Sequence, residues 1–90
     1  MPKRRSTRFI SHPVPYAAID TNAHSEFEPH ISGLVYSESF TGCGVVSITD
    51  QFKLGQEIQI QINDHPISKG KIAWVKNLED NIVKIGIHYT

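Results

Sequence analysis

Ninety residues, nine of them basic and nine acidic, 39% hydrophobic and with one cysteine, make a chain of zero formal net charge. That length accommodates one domain with a modest core. The apolar runs, such as Ile72-Ala73-Trp74-Val75, are too short to cross a bilayer as a helix, and a lone Cys43 excludes an internal disulfide framework.

The basic start, Met1-Pro2-Lys3-Arg4-Arg5, is followed by no apolar stretch. A secretory signal is therefore not expected, and the cytoplasm is the expected compartment. Four of the nine basic residues (Lys3, Arg4, Arg5, Arg8) precede the first acidic residue, Asp20. A cationic arm on a neutral domain fits a small anionic partner held locally. It does not fit a protein that coats a long polyanion, which needs a broad basic surface.

Residues 1–15 read as that arm. They hold Pro2, Pro13 and Pro15 and lack helical periodicity. The domain proper is 16–90, and its first predicted strand, Tyr16–Asp20, follows the extended Pro13-Val14-Pro15. Thr21–Pro29 is polar and reads as a loop. Ile31–Tyr36 and Cys43–Ile48 are the next strands, with Cys43 as a small apolar filler rather than a reactive thiol.

Gln56–Ile62 alternates with a period of two: Ile58, Ile60 and Ile62 on one face, Glu57, Gln59 and Gln61 on the other. His65–Lys76 is read with Ile72 and Trp74 on one face and Ala73 and Val75 on the other. Asn81–Tyr89 sets Val83, Ile85, Ile87 and Tyr89 against Lys84, Gly86 and His88. Turn residues separate the runs at Thr49-Asp50-Gln51, Asn63-Asp64-His65-Pro66 and Glu79-Asp80-Asn81. Six short strands without a helix predict an all-β domain, and closing them into an antiparallel barrel removes exposed edges.

Two short motifs carry chemistry. Arg4-Arg5-Ser6-Thr7-Arg8 contains an R-x-x-x-R pair. A guanidinium is a planar fork of donors that grips phosphate oxygens or the O6/N7 edge of guanine in bidentate fashion, and it stacks on bases. Ser37-Glu38-Ser39-Phe40-Thr41-Gly42 places hydroxyls and a glycine at the end of a strand. There Ser39 can donate and accept, and Gly42 allows close backbone approach.

Together these motifs resemble the PilZ domain family, which pairs an R-x-x-x-R arm with a [D/N]-x-S-x-x-G turn. Arg4 and Arg8 match the arm; Ser39 and Gly42 match the turn about thirty residues later. Further along, Gly55-Gln56-Glu57-Ile58, Gly70-Lys71-Ile72-Ala73-Trp74-Val75 and Ile85-Gly86-Ile87-His88-Tyr89 resemble family segments in order. The resemblance implies a six-stranded PilZ-type barrel that binds cyclic di-GMP between arm and turn. Its implied contacts are Arg4, Arg5, Arg8, Ser37, Ser39 and Gly42. The arm would order on binding, and a downstream protein would read that change, so the chain would act as an adaptor. Ser37 departs from the family's Asp or Asn. Serine offers neither carboxylate nor amide, and losing a good base contact costs roughly 1–3 kcal/mol, so affinity could fall by tenfold or more within that range. Many family members carry a helix after the last strand. Here the sequence ends at Thr90, so one end of the barrel is expected to be uncovered or to meet a partner.

Other readings carry less. His24, Glu26, Glu28 and His30 lie close in sequence, but the loop has no regular face to aim them, so no metal is expected. Lys69, Lys71, Lys76 and Lys84 read as a solvated outer face, and Trp74 as core or rim packing with at most a minor ligand contact. No carboxylate pair, nucleophile elbow or phosphate loop is present, so no enzyme is expected. The main rival is a ligand-independent barrel of the same family used for protein interaction in pilus assembly or motility. A nucleic-acid-binding barrel is disfavoured, because no strand face interleaves aromatic and basic residues. A monomer is expected.

Overall fold

The computed structural model describes residues 14–49 and 51–90. Six strands run in chain order: β1 (Tyr16–Asp20), β2 (Ile31–Glu38), β3 (Gly42–Ile48), β4 (Glu57–Ile62), β5 (Ser68–Glu79) and β6 (Ile82–Tyr89). All pairings are antiparallel, and the strands close into a barrel in the order β1-β2-β3-β6-β5-β4, with β4 returning to β1. Among the described residues no helix is long and apolar enough to cross a membrane.

Alternation builds the interior. Ile58, Ile60 and Ile62 from β4 meet Val83, Ile85 and Ile87 from β6, together with Ile19, Val45 and Ile72, all buried. Phe52, from the segment between β3 and β4, joins this core and closes that end of the barrel. The β1–β2 loop is tied down by two buried polar side chains. Asp20 accepts hydrogen bonds from the backbone N–H groups of Asn22 (2.8 Å) and Glu28 (2.9 Å). Gln59 Nε2 donates to the carbonyls of Asn22 and Ser25, both at 2.9 Å. Gln59, expected on a solvated face, is therefore buried: the loop folds over it and satisfies its amide.

The strand β5 departs from expectation. It spans Ser68–Glu79, not His65–Lys76, because His65-Pro66-Ile67 belongs to the turn. Its register with β6 shifts at Ala73, where one extra residue breaks the alternation. Ile72 consequently points inward and Trp74 outward, while Val75 packs against the core. Ile72 and Trp74 do not share a face. Similar irregularities fall at Tyr36 in β2 and Leu78 in β5.

Candidate functional site

The end of β2, the start of β3 and the facing parts of β5 and β6 form one open cleft on the barrel wall, of about 320 Å³. Its floor follows from pairing. Gly44 of β3 stands opposite Gly86 of β6; Ser37 of β2 is paired with Gly44, and Trp74 of β5 with Gly86. The residue displaced by the β2 bulge, Tyr36, lies across Gly44, and Trp74 lies across Gly86. A β-carbon on either glycine would collide with the ring above it. Two aromatic side chains are thus laid side by side on bare backbone, as happens where an aromatic covers a glycine in a sheet. Both stay partly open to solvent, Tyr36 43% and Trp74 42% exposed. Burial pushes the Tyr36 phenol above its usual range, with a smaller contribution from nearby Cys43, so it remains a neutral donor near pH 7.

The turn expected to touch a ligand borders this floor. Ser37, Ser39 and Gly42 all line the cleft, as does His88. The Ser39 hydroxyl organises the turn. It accepts from Thr41 N–H at 3.3 Å, lies 3.2 Å from Thr41 Oγ1, and reaches the Gly42 carbonyl at 3.4 Å, while Ser39 N–H donates to that same carbonyl at 2.9 Å. Gly42 has a packing reason to be glycine: a β-carbon there would strike the Ile87 carbonyl across the β3–β6 pairing. Arg4, Arg5 and Arg8 lie outside the described residues. The described chain starts beside the cleft, since Val35 N–H donates to the Pro15 carbonyl at 2.8 Å, one residue before Tyr36.

Trp74, read from the sequence as packing with a minor ligand contact, lines the cleft and is 42% exposed. Tyr36 lines the cleft as well. The signal available for it was an aromatic residue immediately before the serine-rich turn; its position over Gly44 depends on a bulge that a single strand does not reveal.

A second cavity, about 300 Å³, opens at the barrel end between Glu38, Ile60, Ile62, His65, Pro66, Ser68 and Tyr89. Burial pushes the nearby Cys43 thiol up, opposed in part by the Tyr89 hydroxyl, and burial likewise pushes the Tyr89 phenol up. Both stay protonated near neutrality, which leaves Cys43 a weak nucleophile.

The histidines of the first loop turn to separate partners. His24 Nε2 is 3.1 Å from Glu57 Oε1, and His30 Nε2 is 3.1 Å from Thr21 Oγ1. Among the described residues no three His, Cys, Asp or Glu side chains converge. Compared with known family models, curated proteins and solved structures, the chain matches none.

Proposed function

We propose that this protein is a non-enzymatic PilZ-like sensor of cyclic di-GMP that signals to a partner protein as an adaptor. The observation that carries the reading is the convergence of Ser37, Ser39 and Gly42 with Tyr36 and Trp74 on one exposed cleft. A ligand with two guanines and two phosphodiesters needs flat apolar surfaces for its bases, small hydroxyls at its polar edges and cations for its phosphates. The cleft supplies the first two. Arg4, Arg5 and Arg8 supply guanidinium groups, and Arg8 precedes Pro15 by seven residues, a stretch that spans at most about 25 Å when extended. Pro15 itself is held beside the cleft wall. Ser37 replaces a longer polar side chain, so affinity is expected to fall below that of a site with Asp or Asn there.

Calorimetric titration of cyclic di-GMP into wild type and into Arg4→Ala/Arg8→Ala, with GTP as control, tests the proposal. Saturable binding by wild type and its loss in the double variant support it. No heat and no shift in melting temperature at high ligand concentration overturn it.

A second reading, a ligand-independent interaction module, draws on another surface. Tyr16, Leu34 and Val46 are consecutive cross-strand partners on the outer wall, with Tyr16 and Leu34 53% and 54% exposed. Such a row suits a protein partner. It predicts that Leu34→Glu abolishes capture of that partner while Arg4→Ala/Arg8→Ala does not.

A further inference from the structure

On the same outer wall, one row along from the aromatic pair, Lys84 of β6 stands directly opposite Lys76 of β5. Like charges facing each other across a strand pair are destabilising unless something neutralises them. Among the described residues neither ammonium has a carboxylate within salt-bridge distance; the ion pairs formed there involve His24 and His30. The contrast with Lys71 is instructive, because Lys71 has Glu57 as its cross-strand partner. Lys84 is also aimed. Its Nζ lies 4.5 Å from the centroid of the Tyr36 ring, an attraction between cation and π face that draws the ammonium to a residue lining the cleft. Lys76 is two residues from Trp74 on the same face, about 7 Å along the strand.

We propose that Lys76 and Lys84 form a phosphate anchor on the barrel itself, holding a phosphodiester of a nucleotide whose base lies on Trp74, beside the Lys84-capped ring of Tyr36. This inference rests on the cyclic dinucleotide reading of the cleft and adds to it the residues that hold the anion. The geometry has a consistent division of labour. The exposed Trp74 indole takes the base, and the adjacent cationic row takes the charge one sugar away. A bound phosphate would also offset any repulsion between two lysines that face each other across the strand pair. Lysine suits this task because its ammonium acts as a point charge with three rotatable donors.

The test titrates cyclic di-GMP into wild type, Lys76→Ala/Lys84→Ala and Lys76→Arg/Lys84→Arg at about 50 mM and 500 mM salt, where screening lengths differ about threefold. Hydrogen bonds to charged groups predict that the alanine variant binds about tenfold or more weakly, with a smaller loss on raising salt, and that the arginine variant retains binding. The unliganded alanine variant is expected to melt at the same or a higher temperature than wild type, which separates lost binding from lost fold. Equal affinity and equal salt dependence in wild type and the alanine variant would overturn the lysine anchor while leaving the cleft reading intact. Absence of binding by wild type itself would overturn both.

Discussion

Replacing Gly86 with alanine tests whether the aromatic floor depends on bare backbone. Gly86 lies directly beneath the Trp74 indole, and a β-carbon there would occupy the same space as the ring atoms Nε1, Cε2 and Cδ1. Backbone on both sides is fixed by the β3–β6 and β5–β6 pairings, so the side chain must yield. Trp74 is 42% exposed, which leaves about 150 Å² of its surface covered. At about 25 cal/mol per Å², that coverage corresponds to about 4 kcal/mol as an upper limit. An indole swung outward loses about half of it, roughly 2 kcal/mol, and the stiffer unfolded chain of the alanine variant returns about 0.5–1 kcal/mol. Gly86→Ala should therefore destabilise by about 1 kcal/mol, equivalent to roughly 5 °C in melting temperature for a domain of this size. Trp74 is the sole tryptophan, so its emission reports the displacement directly. Urea unfolding followed by fluorescence should show a red-shifted native emission and an earlier midpoint. An unchanged emission maximum with undiminished stability would refute the reasoning, because the ring would then not need the space that glycine leaves. Gly44→Ala provides the matching experiment for Tyr36.

Two further predictions concern the core and the first loop. Ile85 is fully buried at the centre of β6, so Ile85→Ala should cost about 2–5 kcal/mol by urea denaturation, a large share of what a domain this small possesses; a loss under about 1 kcal/mol would show that the interior collapses around the gap. Asp20 is held below its ordinary value of 3.8, chiefly by the Glu28 N–H, then by the Asn22 N–H, with a minor contribution from His30, against an opposing effect of burial. A depressed carboxyl stabilises the folded state above its unfolded pKa, and the contribution is lost as pH falls through the folded value. The gap in melting temperature between wild type and Asp20→Asn should thus be full at pH 6 and close as pH drops below 3.8; a gap that widens on acidification would contradict the assigned hydrogen bonds.

Much of the barrel is legible in the chain because a half-buried strand writes its two faces as a period of two. Ile58, Ile60 and Ile62 in β4 and Val83, Ile85 and Ile87 in β6 do so without interruption, and both strands end within one residue of the boundaries their alternation predicts. Turn chemistry marks the gaps: Asn63 and Asn81 adopt φ of 50° and 61°, a conformation asparagine tolerates better than most residues, and Gly55 reaches 82°. The serine-rich turn is likewise legible: β2 ends at Glu38 and β3 begins at Gly42, as the sequence places it.

What only the tertiary structure decided follows from bulges and from strand order. One extra residue at Ala73 reverses the phase of β5, so Trp74 leaves the face of Ile72 and lies on the outer wall; nothing within the segment Gly70–Val75 announces that slip. Placing β6 between β3 and β5 brings Gly44 beside Gly86 and Lys84 beside Lys76, pairs separated by dozens of residues and by eight residues respectively. Local pattern determines which way a side chain points relative to its neighbours in sequence, since backbone sterics act over a few residues. Which side chains share a surface depends on pairing across the barrel, and that is set by the packing of the whole core.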